Sequence, residues 1–176
     1  MYIYRSENGR ATGCTSNKLG DIHMKITPSK NYELIATLNK HVHDVHVEQY
    51  PDHFKPYNYD EIMPFYKNII DTESYIFLVI EDENEAVGYA WIELKDYLEN
   101  PFKFARKFVY VHQISISTHV RSKGYGSMLM AEIEAIAKAN SITAIELDYW
   151  VKNEGAKRFY EKQDYIAYRE FVYKEI

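Results

Sequence analysis

The sequence predicts a single α/β domain (α+β in arrangement) built on a mixed sheet. Apolar periodicities give the order strand, two helices, three strands, helix, strand, helix, strand, which is not a regular strand–helix alternation. Such an order favours antiparallel strands first and a parallel crossover later. The length of 176 residues fits one domain. In addition, a strand from His112 passes through a glycine-containing loop straight into a helix.

Composition narrows the classes of function. Hydrophobic residues are 46% and charged residues 27% of the chain, as in ordinary soluble globules. The net charge of −5 argues against nucleic-acid binding, which needs a basic face, and is compatible with a cationic acceptor. No apolar run reaches the length of a membrane span. Cys14 is the single cysteine, so no internal disulfide forms and a cytoplasmic location is expected.

Residues 1–23 differ in composition from the rest of the chain. They mix Gly, Asn, Ser and Thr without periodicity and lack the apolar centre of a secretory signal. His23-Met24 is a dipeptide that a common cloning site encodes. We therefore expect an expression leader over 1–23 and the domain over 24–176; a natural flexible tail, or a short strand at Tyr2 to Tyr4, is the alternative.

The first half of the domain predicts two helices after a short strand. A strand over 24–27 stops at Pro28, and Ser29 is the expected N-cap of a helix over 31–50. The apolar face of this helix recurs at helical spacing through Leu34, Leu38, Val42 and Val45. A second, shorter helix is expected over 60–71.

The second half predicts the rest of the sheet. Strands over 75–81 and 86–95 flank an acidic turn and form a hairpin, followed by a loop over 96–107. A central strand over 108–117 precedes a helix over 124–139. A strand over 144–149, a helix over 153–162 and a closing strand over 166–174 complete the domain.

The loop between the central strand and its helix has the features of a phosphate site. Free backbone N–H groups and the helix dipole favour an anion at a helix N-terminus. Glycines allow the anion close to the backbone and permit positive φ, and arginine and lysine add charge. The residues expected to bind phosphate are Arg121, Ser122, Lys123, Gly124, Tyr125, Gly126 and Ser127.

Two segments resemble motifs of the GNAT superfamily of N-acetyltransferases. Arg121, Gly124 and Gly126 fill the fixed positions of the acetyl-CoA signature Arg/Gln-x-x-Gly-x-Gly/Ala. The segment 153–162 is similar to the late motif of that family, in which an asparagine opens a helix and an aromatic pair closes it. The order of elements matches as well, so the resemblance covers 24–176.

The resemblance implies acetyl-CoA as cosubstrate and further site residues. Backbone groups of Ile114, Ser115 and Ile116 would pair with the pantetheine amides, and Asn153 would hydrogen-bond the same arm. Tyr160 would stand near the sulfur as general acid, because a phenol is protonated at neutral pH. The alternatives are a simple N-cap for Asn153 and a core tyrosine for Tyr160.

The sequence identifies the general base less clearly than the general acid. Many family members carry a carboxylate early in the central strand, where this chain has His112-Gln113. His112 has a suitable unperturbed pKa and is the candidate base; a hydrogen-bonded strand histidine is the alternative. The remaining histidines around the first helix lack metal-ligand spacing, so no metal is expected.

These observations predict a cytoplasmic acyltransferase that transfers the acetyl group of acetyl-CoA to a primary amine of a small molecule, by direct attack in a ternary complex. A protein or peptide N-acetyltransferase and a non-catalytic acyl-CoA sensor are the alternatives. A homodimer is expected because the closing strand 165–173 is aromatic on both faces. Neither nucleic acid nor membrane is an expected partner.

Overall fold

The computed structural model describes residues 24–176, so the expected leader 1–23 lies outside the described residues. The strands are β1 Met24–Pro28, β2 Tyr75–Asp82, β3 Glu85–Tyr97, β4 Arg106–Ile116 and β5 Ile145–Leu147; the α-helices are α1 Tyr32–Gln49, α2 Tyr59–Ile69, α3 Tyr125–Ala139 and α4 Glu154–Glu161. A short 3-10 turn, Thr118–Val120, joins β4 to the loop before α3. Within the described part no helix is both long and apolar enough to cross a membrane.

The five strands form one mixed sheet in the order β1-β2-β3-β4-β5. The first four are antiparallel to their neighbours, and β4 pairs with β5 in parallel. The helix α3 connects these last two strands, as expected for a parallel crossover. The predicted mixed sheet and the order of the first nine elements are confirmed.

Helices cover both faces of the sheet. On one face, α1 and α2 enclose a core with the inward side chains of β2 and β3, including Phe77, Tyr89 and Trp91. On the other face, α3 packs Leu129, Met130 and Ile133 onto the sheet. Because the strands are covered on both sides, they read as long apolar runs rather than as a strict alternation.

The first helix begins differently from the prediction. Its N-cap is Asn31, whose side chain accepts from the backbone N–H of Leu34 at 3.0 Å. Ser29 is not the cap; its Oγ accepts from the N–H of Asn31 at 3.1 Å instead. Asparagine and serine are nearly equivalent caps, so the local sequence alone did not separate them.

The predicted closing strand 166–174 is wrong. No regular structure follows α4, and the predicted strand 144–149 shortens to Ile145–Leu147. A three-residue edge gives a sixth strand few ladder positions to pair with. As a result the C-terminal segment 165–176 leaves large apolar side chains bare; Phe171 is 96% and Val172 82% exposed.

A bulge interrupts β4 beside its partner β3. Trp91 lies opposite Gln113, but the next residue of β3, Ile92, lies opposite Val111. His112 is therefore the extra residue, and its side chain projects to the same face as that of Gln113. Both side chains meet residues on the α1 and α2 side of the sheet. Bulges of this kind re-aim side chains next to active sites.

The sheet forks just beyond the bulge. β4 and β5 pair at three positions, of which Val111 with Leu147 is the last. From His112 to Ile116, β4 continues without a strand partner on that side among the described residues. The backbone of β4 is therefore accessible to another molecule along this edge.

Candidate functional site

The loop before α3 has the backbone geometry of an anion site. Gly124 is the N-cap of α3 with φ +91°, in the left-handed region. Ser122, two residues earlier, also has a positive φ of 67°. A Cβ added at Gly124 would meet no atom within 4 Å, so the space in front of the helix N-terminus is open. Free N–H groups of the first turn face this space.

The side chains around this loop divide into two sets. Arg121, Ser122, Lys123 and Ser127 are exposed, and Arg121 donates to the backbone O of His41 at 3.4 Å. Tyr125 is buried and its hydroxyl donates to Asp82 Oδ2 at 2.5 Å, so only its backbone is available for a ligand.

Gly126 also allows a close contact between two helices. A Cβ at this position would lie 3.1 Å from the ring of Phe159, which belongs to α4. The glycine therefore permits close packing of α3 against α4. A larger residue here would disturb that packing as well as any bound anion.

The unpaired edge of β4 carries the three residues expected to bind through their backbone. The side chains of Ile114 and Ile116 pack on the core under α3, and Ser115 Oγ donates to the backbone O of Leu38 at 2.8 Å. All three side chains are thus engaged inside the protein. Their backbone on the free edge of β4 is the part left for a ligand.

The candidate acid lies on α4. Asn153 caps this helix, with its Oδ1 accepting from the N–H of Ala156 at 3.0 Å, which leaves its Nδ2 as a donor. Tyr160 packs against the core under α3 and stacks on Tyr149 with ring centroids 5.9 Å apart. Burial raises the pKa of Tyr160 well above its usual range, so its hydroxyl keeps its proton at neutral pH.

The candidate base lies on the opposite face of the fork. His112 Nε2 is 2.8 Å from Glu93 Oε2, and its ring stacks on Trp91 at 4.2 Å. A carboxylate only accepts, so Nε2 carries the hydrogen and Nδ1 keeps the lone pair. Burial lowers the pKa of His112, an effect that the Glu93 carboxylate opposes. The imidazole is thus held neutral and in one tautomer.

Gln113, the residue after His112, is the shared acceptor of a buried polar network. Its Oε1 accepts from Tyr66 at 2.7 Å and from Asn39 at 3.2 Å, and also from Tyr89. Burial raises the pKa of both tyrosines, so they remain donors. The network ties β3, β4, α1 and α2 together directly behind the bulge and fixes its position.

A second carboxylate, that of Asp148, lies near the candidate base. Asp148 follows β5 directly, and Tyr110 donates to its Oδ2 at 2.5 Å. The Tyr110 ring packs on that of His112 at 4.9 Å. The Asp148 charge opposes the lowering of the pKa of His112 and adds to the raising of the pKa of Tyr160.

Two of the histidines of α1, His43 and His46, belong to an aromatic cluster. His43 Nε2 bonds to the backbone O of Lys55 at 2.8 Å, and His46 packs on Phe54 at 4.9 Å. Phe54 in turn contacts Trp150 in the loop after β5, at 5.2 Å. The cluster joins the α1–α2 loop to the far side of the fork. In the part of the chain described, no three His, Cys, Asp or Glu side chains are grouped to hold a metal.

The predicted residues lie on three neighbouring parts of the fold, namely the loop before α3, the β4 strand with its free edge and His112, and α4 with Asn153 and Tyr160. Glu93 and Asp148 were missed from the sequence. Glu93 alternates with Trp91 and Lys95 on β3, a signal for a shared face, but the strand register that brings it to His112 is not visible in the sequence.

Comparisons with known proteins agree with this architecture. The family model described as "Acetyltransferase (GNAT) family" matches residues 39–165. No curated protein sequence gave a match.

Several solved structures share the fold. The BH1408 protein from Bacillus halodurans, as a tetramutant, is 28% identical with a TM-score of 0.80, over 86% of this chain and 99% of that protein. An aminoglycoside N-acetyltransferase, AAC(6')-Iy in complex with CoA, is 13% identical with a TM-score of 0.65, over 88% and 95%. An aminoglycoside acetyltransferase from an uncultured soil metagenomic sample, in complex with sisomicin, is 14% identical with a TM-score of 0.62, over 87% and 95%. The last two show likeness of fold alone.

Proposed function

Because this chain belongs to the acetyltransferase (GNAT) family, we propose that it transfers the acetyl group of acetyl-CoA to a primary amine of a small-molecule acceptor, by direct attack in a ternary complex. The observation that carries the proposal is the fork between β4 and β5, with a neutral histidine on one face and a protonated tyrosine on the other. A proton acceptor and a proton donor flanking one opening suit a reaction that deprotonates an amine and protonates a thiolate.

The residues along the fork fit CoA. The open N-terminus of α3, with Arg121, Ser122, Lys123, Gly124, Tyr125, Gly126 and Ser127, would hold the diphosphate. The free backbone of Ile114, Ser115 and Ile116 and the Nδ2 of Asn153 would hold the pantetheine arm. Acetyl-CoA, when bound, supplies the acetyl group as a thioester.

The protein supplies the proton handling. In this proposal Nδ1 of His112 accepts the proton of the acceptor amine, directly or through water, while Glu93 fixes the tautomer. Tyr160 holds the proton that the departing thiolate takes. A neutral imidazole near pH 7 and a phenol with a raised pKa are each in the protonation state that these roles require.

The acceptor is proposed to be small and cationic. The acidic net charge supports this, and two neighbouring folds are named as aminoglycoside acetyltransferases. A cytoplasmic homodimer is proposed as well, on the basis of the single cysteine and of the bare apolar side chains of segment 165–176.

The test is an acceptor screen with purified protein. Thiol release from acetyl-CoA is followed with a panel of diamines, amino sugars, aminoglycosides and lysine peptides, while calorimetry measures acetyl-CoA binding alone. We expect binding in the absence of acceptor and thiol release with at least one small amine.

Two other results have definite meanings. Turnover with lysine peptides but no small amine would replace the proposal by a protein or peptide acetyltransferase. Tight acetyl-CoA binding without turnover on any acceptor would favour a sensor. A His112→Asn variant that binds acetyl-CoA like the parent is the matched control for catalysis.

A further inference from the structure

We propose that Asp148 binds a positively charged group of the acceptor, so that the enzyme prefers amines that carry a second cationic group. This inference rests on the proposed function and names a specificity-determining residue for it. Four features of the fork carry it.

The first feature is position. Val111 and Leu147 are the last paired residues of the two parallel strands, so His112 and Asp148 are the next residue of each. Asp148 therefore lies level with the candidate base at the mouth of the fork. An acceptor whose amine lies at His112 would therefore have this carboxylate nearby.

The second feature is that the other carboxylates nearby already form ion pairs within the protein. Glu93 binds His112 and lies 3.2 Å from Lys95 Nζ. Glu146 pairs with Arg106, and Asp96 pairs with Lys107 at 2.7 Å. Each of these carboxylates already has a cation inside the protein.

Asp148 differs from them. It is exposed, and its hydrogen-bond partner is a neutral phenol, that of Tyr110. Within residues 24–176 no salt bridge reaches its carboxylate. The positive charge of Arg169, in the C-terminal segment, counteracts part of the rise in the pKa of Tyr110. Arg169 makes no ion pair with Asp148 in the described structure.

The third feature is that the carboxylate is held in place. The Tyr110 hydroxyl fixes Oδ2 at 2.5 Å, which leaves Oδ1 to accept from a ligand. Tyr110 is itself anchored, since Lys95 Nζ lies 4.8 Å from its ring centroid and its ring packs on His112 at 4.9 Å. A pre-positioned carboxylate loses little side-chain entropy when it binds a cation.

The fourth feature is the combined environment. Tyr110, which donates to Asp148, packs its ring on that of His112 at 4.9 Å, so a cation bound to Asp148 would lie near the candidate base. A carboxylate of this kind binds ammonium and guanidinium groups more strongly than neutral hydrogen-bond donors. The acceptor class is therefore an amine with a second positive charge.

The experiment compares α,ω-diaminoalkanes of three to six carbons with monoamines of equal length. Parent and Asp148→Asn are assayed for kcat/KM with both series at pH 8, where His112 is neutral in each. Asparagine keeps an acceptor for the Tyr110 hydroxyl and removes the charge. We expect the parent to favour at least one diamine by about 10-fold or more, the size of one hydrogen-bonded charge. In Asp148→Asn the ratio of kcat/KM for the diamine to that for the matching monoamine should fall toward one, because only the diamine loses an ion pair.

Glu146→Gln is the matched control. Glu146 lies two residues earlier on the same edge strand and carries the same charge, but it is paired with Arg106. We expect it to keep the diamine preference. Equal loss for monoamines and diamines in Asp148→Asn, or an unchanged preference, would overturn the role of Asp148 while leaving acetyl transfer intact. Absence of thiol release from the parent with every amine would overturn the proposed function and this inference together.

Discussion

Replacing Glu93 by glutamine should move the acidic limb of the pH–rate profile to lower pH. A base must be neutral to act, so kcat falls as the pH drops through the pKa of His112. Burial already lowers this pKa from 6.5, which puts the limb of the parent enzyme below pH 6.5. The Glu93 carboxylate opposes the lowering, so its loss shifts the limb further in the same direction.

The structure gives the size of the shift. The Nε2–Oε2 distance is 2.8 Å and both side chains are only about one-fifth exposed, at 21% and 19%. A hydrogen bond to a charged group contributes about 1.5–3 kcal/mol. Glutamine retains an acceptor but no charge, so roughly half of this, about 0.75–1.5 kcal/mol, is lost. Since 1.36 kcal/mol corresponds to one pKa unit, the limb should move by about 0.5–1 pH unit.

Measurement of kcat at saturating amine between pH 5 and 9 reports the shift, because it follows ionisations in the bound complex. Lys95→Met is a control of opposite sign, since the Lys95 charge lowers the pKa of His112 and its loss should move the limb upward. In His112→Asn the limb should be absent. A limb at the same pH in the parent, Glu93→Gln and Lys95→Met would refute the assignment of His112 as base.

Four further outcomes are expected. Tyr160→Phe should keep acetyl-CoA affinity and lower kcat by roughly 10² to 10⁴, the range for loss of an acid; turnover at the parent rate, with chemistry rate-limiting, would reassign the proton donor. Gly124→Val should abolish acetyl-CoA binding in calorimetry, because φ is +91° and the anion space is filled, whereas parent-like affinity would remove the loop from the site. A chain that starts at Met24 should keep its Tm and CoA affinity, and a fall of several degrees would show that 1–23 packs on the domain. Sedimentation should give a dimer that Phe171→Arg weakens, since this ring is 96% exposed; a clean monomer of the parent chain contradicts the interface.

Much of the fold could be predicted because local pattern and tertiary contact agree. Helix α1 shows both the success and its limit. Its bounds, 32–49, lie within one residue of the prediction, since helical spacing and Pro51 define them. Its buried face is centred on Ile35 and Leu38, while Val42 of the predicted face is only half-buried. Spacing predicts that a helix has an apolar face, but the sheet beneath decides which residues are covered.

The closing strand failed for a related reason. Alternating aromatics over 166–174 satisfy the local pattern of a strand, yet a strand needs a neighbouring edge with free ladder positions. β5 offers three residues, and sequence periodicity gave it six. The alternating aromatics indicate that segment 165–176 is able to form a strand. Within residues 24–176 of one chain, however, it pairs with no other strand.

Residues of the candidate site could be identified from the sequence where they belong to one contiguous motif. They could not be identified where the strand register brings distant residues together. Gly124 and Tyr160 lie inside short segments with their own spacing. Glu93 meets His112 across a ladder, and Asp148 meets Tyr110 across a parallel pair. Those contacts depend on one residue of register, which a single sequence does not specify.

The bulge in β4 makes His112 an extra residue in the alternating core pattern of the strand. Val109 and Val111 face the core under α3 before it, and Ile114 and Ile116 face that core after it. Without His112, the series Val109, Val111, Ile114, Ile116 would alternate evenly with Tyr110, Gln113 and Ser115, as in an uninterrupted strand. The strand thus carries one residue more than its core pattern needs, and that residue is the candidate base. Deletion of His112, rather than its replacement, should let the ladder with β3 close while the side chains of both cores keep their places.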